Sequence, residues 1–223
     1  MYDGDHPVTP KWAIHLEGEW RRTPFLIQPE QRLLKTGVQR TFGAGWTVLV
    51  GYTYVVNTPP DGSTRVFRTE SRHALFQQVA NKQKFRSLQL SQWVRLANTS
   101  ASLRAKDQTN TWSFRQRVQY HVAVEIPAFG RHLPFAPSYY PIYDEVTLSI
   151  HSSPDHEVLT QNRVYAALGW KIGEFEAVEL GYMHQFRPVS NGIVARHNDS
   201  LQITVHSARP FTRFLSKHRQ SMN

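Results

Sequence analysis

Residues 12–20 (WAIHLEGEW) alternate between two kinds of side chain without interruption. The even-numbered positions are apolar or glycine, with tryptophan at both ends, and the odd-numbered positions include a histidine and two glutamates. Only an extended strand places successive side chains on opposite faces, so this stretch predicts a β-strand with one apolar and one polar face. Its eight steps of ~3.3 Å span about 26 Å along the strand, or roughly 20 Å of height at a ~40° tilt. That height is close to the lipid-facing band of an outer-membrane barrel strand.

The same period of two recurs along the chain, in ten segments separated by turn residues rather than by helix caps. The segments are residues 11–22, 28–42, 45–57, 63–79, 85–98, 110–126, 139–152, 158–172, 175–188 and 199–209. No linker, repeat or low-complexity tract divides them. We therefore expect an all-β protein, a single antiparallel up-and-down β-barrel of about ten strands (range 8–12) of outer-membrane type. Residues 1–10 are predicted to be an N-terminal lead, residues 11–209 the barrel domain, and residues 210–223 a basic C-terminal tail.

The connections between these segments alternate in length. Residues 42–45, 81–84 and 172–175 are short connections, whereas residues 57–62, 98–110, 152–156 and 188–197 are mostly longer and richer in Pro, Asn and Ser. Outer-membrane barrels have short periplasmic turns and longer external loops, so a periplasmic N-terminus makes the longer connections external. Residues 127–138 are an exception, since this inner connection is long and contains three prolines.

Tyrosine and tryptophan lie preferentially near the ends of the apolar rows, where an amphipathic ring suits a membrane–water interface. The predicted interface aromatics are Trp12, Trp20, Trp46, Tyr54, Trp112 and Trp170.

The opposite faces of the same strands carry arginine and glutamate almost to the exclusion of lysine, the pair of residues suited to buried planar ion pairs. A barrel of about ten strands has a narrow interior that side chains can largely fill. We expect these residues to form a lumenal polar network that fills and rigidifies the barrel. Its predicted members are Glu17, Glu19, Arg68, Glu70, Arg72, Arg95, Arg115, Arg117, Glu125, Glu145, Arg163, Glu179 and Arg187.

Alternation alone fits a second architecture equally well. In a soluble lipocalin-like barrel the apolar faces form the core and the charged faces meet water, and inverting the barrel leaves the period unchanged. Such a barrel would bind an apolar ligand, and it stays open as the first alternative.

Composition narrows the class of protein only a little. The 223 residues contain no cysteine, which removes disulfides, thiolate nucleophiles and Cys-based zinc sites but leaves the redox compartment undecided. The 26 Lys and Arg against 17 Asp and Glu give a formal charge of +9, scattered along the chain, so we expect no nucleic-acid partner. No apolar run approaches the ~20 residues of a transmembrane helix. Residues 1–10 lack the features of a secretory signal, so for an exported protein we expect that the chain is mature, is re-engineered, or has its native start upstream.

The eleven histidines invite a search for catalytic chemistry. His151 and Ser153 share a face, and with Glu157 nearby they would suit an outer-membrane lipid hydrolase in which His is the base and Ser the nucleophile. Their parity places them on the polar side, however, whereas such a site should face lipid. We therefore expect no enzyme activity and keep a lipid-modifying hydrolase as the second alternative.

No metal or cofactor site is predicted. His197 with Asp199, and Asp155 with His156, have ligand-capable groups but lack the spacing of a third ligand. Glu17 and Glu19 share a face, and salt bridges to arginines across the lumen are favoured over an acid/base pair.

Several short motifs together resemble a family of bacterial outer-membrane-type barrels known as a domain of unknown function. The motifs are residues 67–72 (FRTESR), 114–120 (FRQRVQY), 143–146 (YDEV), 161–165 (QNRVY), 179–185 (ELGYMHQ) and 197–198 (HN). The resemblance spans about residues 11–207, and it implies a fold and a membrane but no known reaction. The chain departs from the family pattern at residues 89–92 (QLSQ), where the family tends to have an internal Arg and Glu. It also departs in residues 210–223, beyond the last strand, where Phe211 or Phe214 would have to supply the aromatic assembly signal.

These predictions describe a non-enzymatic outer-membrane barrel with a structural, interaction or narrow-conduit role. The expected partners are outer-membrane lipid and, during insertion, the barrel-assembly machinery. A basic outer rim could also bind the phosphates of lipopolysaccharide, and its candidate residues are Arg22, Arg65, Arg104 and Arg196.

Overall fold

The computed structural model describes residues 1–22, 29–57, 67–105, 110–128, 135–150, 158–189 and 194–211. Within these ranges the chain forms eleven β-strands. The same ranges contain no helix that is long and apolar enough to cross a membrane. The strands are β1 (Tyr2–Pro7), β2 (Trp12–Arg22), β3 (Pro29–Thr41), β4 (Trp46–Asn57), β5 (Phe67–Phe85), β6 (Leu88–Ala105), β7 (Asn110–Pro127), β8 (Tyr139–Ser149), β9 (Leu159–Lys171), β10 (Glu176–Val189) and β11 (Val194–Ser207).

The eleven strands close into a barrel. Each strand pairs antiparallel with its neighbours in sequence, and β1 pairs with β11 in parallel. An up-and-down barrel with an odd number of strands has its first and last strands running in the same direction, so its closing pair must be parallel. This closing pair is short, extending from Tyr2 opposite Val205 to Gly4 opposite Ser207. The prediction of an all-β up-and-down barrel is thus confirmed, with one strand more than the ten expected.

The additional strand comes from the predicted N-terminal lead. β1 pairs with β2 from Tyr2 opposite Gly18 to Pro7 opposite Ala13. Its sequence, YDGDHP, has no apolar alternation, so the pattern that identified the other strands does not occur in it. The start of the predicted tail also contacts the barrel, because the ring of Phe211 stacks on His6 with 4.5 Å between ring centroids.

The β5–β6 hairpin is longer than its sequence predicts. The turn expected at residues 81–84 is wrong, because β5 continues to Phe85 and the chain turns at residues 86–87. Arg86 has φ of 53°, as the tight two-residue turn requires. Most of the connection expected at residues 98–110 belongs to β6 instead. Its polar sequence resembles a loop, but its backbone groups pair with β7, for example at Asn98 opposite Gln116.

The side-chain parity of the barrel places the apolar rows outside and the polar rows inside. Leu75 is 66% exposed and Leu201 is 81% exposed on the outer surface. In contrast, Lys35 and Glu179 are each only 7% exposed. The interior is therefore built around charged side chains, and the outer surface is apolar.

Two tyrosines pack against glycines inside the barrel. Tyr139 lies over Gly169, and Tyr165 lies over Gly181, so closely that a Cβ at either glycine would overlap the ring. The two rings therefore need a strand surface without side chains. Both tyrosine hydroxyls donate to the Glu179 carboxylate, at 3.0 Å and 3.3 Å. This packing fixes a buried carboxylate against the barrel wall.

Candidate functional site: the charged interior

The interior contains a cavity of about 1500 Å³ to which all eleven strands contribute side chains. Glu70 lies on the same face of β5 as the cavity-lining Arg72 and accepts two hydrogen bonds from its guanidinium, both at 2.7 Å. The side chain of Arg68 lies outside the described residues. The remaining predicted lumenal residues all line the cavity, namely Glu17, Glu19, Arg72, Arg95, Arg115, Arg117, Glu125, Glu145, Arg163, Glu179 and Arg187.

One wall of the cavity is acidic and contains residues that the sequence analysis did not single out. The ammonium of Lys35 contacts the Glu17 carboxylate, and both side chains are buried. His15 lies beside them, with its Nδ1 2.8 Å from the Asp5 carboxylate. His15 and Lys35 occupy the polar parity of β2 and β3, so extending the alternation across neighbouring strands would have identified them. Asp5 belongs to β1, which was not recognised as a strand.

The acidic wall continues onto β11. His206 lies 3.5 Å from the Asp3 carboxylate and 3.2 Å from the Glu179 carboxylate. These ion pairs join β1, β10 and β11 at the closing seam. The imidazole is thus placed where it can bridge two carboxylates.

Asp3, His15 and Glu17 also form a group with metal-ligand chemistry, since one ligand atom from each lies within 4.8 Å of the others. The Lys35 ammonium already occupies the Glu17 carboxylate. This arrangement favours an ion-pair network over a cation site. The histidine and aspartate considered from the sequence, His197 and Asp199, lie elsewhere, and residues 155–156 lie outside the described residues.

Arg95 lies in the middle of the interior. Its guanidinium donates two hydrogen bonds to the Gln78 side-chain oxygen, at 2.9 Å and 2.6 Å. The same group stacks over the rings of Phe76 and Trp93, at 4.8 Å and 4.4 Å from their centroids. A third hydrogen bond, at 3.5 Å, goes to the Gln119 side-chain oxygen. Arg95 is thus held by two amides and two aromatic rings, with no direct ion pair to a carboxylate in the described part of the chain.

Arginines collect in the half of the barrel toward the connections that follow β2, β4, β6, β8 and β10, which we call the loop end. We call this set the arginine cluster, and its members are Arg21, Arg72, Arg115, Arg117, Arg163 and Arg187. Three of its members have glutamate partners, in the pairs Arg21–Glu19, Arg72–Glu70 and Arg163–Glu145. The acidic wall and the arginine cluster make the interior electrostatically uneven.

The predicted interface aromatics form two groups on the barrel. Trp12, Trp46 and Trp170 lie at the end with the short turns, and Trp20, Tyr54 and Trp112 lie at the loop end. All are exposed except Trp170, which is half-buried and whose indole donates to the Phe135 carbonyl at 3.0 Å. The guanidinium of Arg40 packs over Trp12, at 5.3 Å from the ring centroid.

A separate polar group lies on the outer surface of β10 and β11. Asp199 accepts a hydrogen bond from the Tyr182 hydroxyl at 2.5 Å and lies 2.6 Å from His184 Nδ1. His184 Nε2 lies 3.2 Å from His197 Nδ1. We call these four residues the outer histidine cluster. The pattern along either strand alone does not reveal this cluster, because His184 and Asp199 belong to different strands and only the β10–β11 register places them opposite each other.

Other sequence candidates are only partly placed. His151, Ser153, Glu157 and Arg65 lie outside the described residues, as do the side chains of Arg22 and Arg104. Arg196 is opposite Arg187 in the β10–β11 register. Directly opposed residues share a face of a sheet, so Arg196 belongs to the inner row, near the loop end of β11.

Comparison with known proteins leaves the description at the level of a family. No curated protein and no solved structure matches the chain. One family model matches residues 1–196, which include the strands that carry most of the charged interior. The chain therefore belongs to the family described as protein of unknown function (DUF2490).

Proposed function

We propose that this protein is a bacterial outer-membrane β-barrel, without enzyme activity, whose charged interior forms a narrow conduit for small hydrophilic solutes. The observation that carries the proposal is the parity of the barrel wall, with an apolar outer surface around a charged cavity of about 1500 Å³. Exposing an apolar outer surface of this kind to water would be unfavourable, whereas in a bilayer the same surface contacts the acyl chains of the lipids. The two groups of aromatic residues support the same location.

The lipocalin-like alternative needs the opposite arrangement. An apolar ligand requires an apolar pocket, but ion pairs such as Lys35–Glu17 line this interior. Among the described residues, buried hydrophobic side chains form one small cluster around Tyr165 and Met183, and others such as Leu49 and Phe76 are buried outside it. The geometry therefore favours a polar solute over an apolar one.

Charge substitutions on the outer wall test the membrane location. Val50 lies midway along an outward row of β4 that is bracketed by Trp46 and Tyr54, and it is 54% exposed. In a bilayer, Val50→Arg should lower the free energy of unfolding by about 2–4 kcal/mol, whereas the control Tyr54→Arg, at the interface, should cost about 0–1 kcal/mol. Denaturant-induced unfolding of protein refolded into lipid vesicles measures both. Equal, near-zero costs would contradict a membrane location for this surface.

Conductance tests the conduit. Refolded protein in a planar bilayer should give small, stable single-channel currents, because charged side chains occupy much of the interior. A large open conductance would contradict a narrow interior. Complete absence of current from protein that shows the heat-modifiable gel migration of a folded barrel would contradict a conduit and leave a structural role.

A lipid hydrolase is a second candidate function, and the outer histidine cluster is the observation that favours it. A carboxylate that orients an imidazole is the usual arrangement of a general base, and here Asp199 and His184 lie on the apolar outer surface. Release of fatty acid from phospholipid vesicles by the wild-type protein, lost in His184→Ala, would support hydrolysis of the ester by an activated water. No release by either protein would retain the non-enzymatic proposal, whereas release at the same rate by both would exclude the outer histidine cluster as the site of hydrolysis.

A further inference from the structure

The arginine cluster contains more positive charge than its carboxylates balance. Arg115, Arg117 and Arg187 have no ion pair with a carboxylate in the part of the chain that the structure describes. Arg187 donates only to amide oxygens, that of Gln161 at 3.3 Å and that of Gln185 at 3.0 Å and 3.1 Å. The guanidinium groups of Arg115 and Arg117 have no hydrogen-bond partner among the described side chains, although both backbones pair in the sheet. We call Arg115, Arg117 and Arg187 the uncompensated arginines.

The uncompensated arginines are also close to other cations. The electrostatic neighbours of Arg117 are Arg72, Arg115 and, with a smaller effect, the Glu70 carboxylate, which Arg72 already binds. Those of Arg187 are all arginines, Arg163, Arg21, Arg72 and Arg117. Like charges held in one partly desolvated cavity repel each other, and a bound anion would remove much of that repulsion.

The wall beside these arginines leaves room for such an anion. In the β6–β7 register, Arg117 is opposite Ala97 and Arg115 is opposite Thr99. On the other side of β6, Thr99 is opposite Ala74 and Ala101 is opposite Arg72. Small side chains on β5 and β6 thus separate the guanidinium of Arg72 from those on β7, so the arginines border open volume.

We propose that the arginine cluster binds an anion that bears a phosphate group. A guanidinium presents a planar fork of donors that matches two oxygens of a phosphate, and several forks around one cavity suit a group with three or more acceptor oxygens. A monovalent ion such as chloride would use only the charge. A phosphate uses both the charge and the directed donors.

The phosphate can come from a soluble compound or from the headgroup of a lipid, because both present the same oxygens to the cluster. Binding to either is measured in detergent micelles and needs neither a membrane location nor conductance. Failure of this site is thus distinguishable from failure of the conduit.

Calorimetric titration of the refolded protein with inorganic pyrophosphate tests the site. Wild-type protein in a neutral detergent should bind pyrophosphate, and Arg115→Gln combined with Arg117→Gln should weaken binding by at least about tenfold, equivalent to about 1.4 kcal/mol. The matched control combines Lys82→Gln with Lys171→Gln, which removes the same formal charge from cavity-lining residues at the opposite end. The control should bind nearly as tightly as wild type.

A charge-preserving variant distinguishes the contribution of the planar guanidinium donors from that of the positive charge. Arg115→Lys with Arg117→Lys keeps both cations but loses the planar donors, so its affinity should fall between wild type and the glutamine variant. Heat-modifiable gel migration identifies the variants that fold. If the glutamine variant does not fold, the lysine variant carries the test.

The two sources are distinguished by competition. Micelles that contain phosphatidic acid should displace pyrophosphate if a lipid headgroup is the preferred source, and should leave the titration unchanged if the source is soluble. The proposal would be overturned if wild type did not bind pyrophosphate, if the glutamine variant bound it as tightly, or if the lysine control lost binding equally.

Discussion

The Lys35–Glu17 pair shows how charge is tolerated inside this barrel. Lys35 is almost fully buried, and its ammonium contacts a carboxylate with little exposure of its own. Removing one partner of such a pair leaves the other charge without compensation, which costs more than the pair itself contributes. The pair is therefore a sensitive probe of the interior.

Lys35→Met should lower the free energy of unfolding by about 3 kcal/mol, because it leaves Glu17 buried without its cation. Adding Glu17→Gln to this variant should restore much of the loss. Denaturant unfolding of protein refolded in detergent measures the cycle, and Lys82→Met, at an exposed position, is the control. A Lys35→Met protein as stable as the wild type would show that the pair is solvated.

The glycine beneath Tyr165 offers a second residue-scale test. Gly181→Ala should destabilise the barrel by about 1–3 kcal/mol, because the new Cβ overlaps the tyrosine ring and forces it to move. The control is Gly18→Ala on β2, where an added Cβ has no atom within 4 Å. Similar unfolding midpoints for the two variants would contradict the close packing of Tyr165.

At the scale of elements, β1 is a short strand that is also held by contacts outside its ladders. Its outward His6 is buried under Phe211, and His6 Nδ1 lies 2.9 Å from the Arg209 carbonyl oxygen. The residues after β11 therefore hold β1 against the wall. This contact links the two ends of the described chain.

Phe211→Ala should loosen β1 selectively. We expect faster amide hydrogen exchange at residues 2–7 and unchanged exchange in the long β5–β6 hairpin, because strands with few buried contacts open locally. Phe85→Ala, at an exposed aromatic residue of that hairpin, should leave β1 protection unchanged. Equal protection of β1 in wild type and Phe211→Ala would mean that its ladder with β2 suffices.

For the whole molecule, alternation along single strands was enough to predict the fold class, because a barrel wall imposes a period of two on every strand. It could not predict β1, where Asp3 and Asp5 take one face and no apolar row takes the other. It also could not decide which face was inside, since inversion leaves the period intact. The pairing of Asp199 with His184 depends on register between strands, and no pattern within one strand encodes it.

The wall of the barrel is least continuous at its closing seam, where β1 lies between β2 and β11. β11 has a full ladder with β10, but it pairs with β1 only from Val205 to Ser207, and β2 pairs with β1 only up to Gly18. Residues 19–22 and 194–202 thus have no strand neighbour on that side in the described part of the chain. Backbone groups on such an edge cannot face hydrocarbon without partners. The β1–β11 pair is the shortest ladder in the described wall, so in the membrane location proposed above separation there would break the fewest hydrogen bonds and would give a molecule with a polar head and an apolar tail a sideways path into the interior.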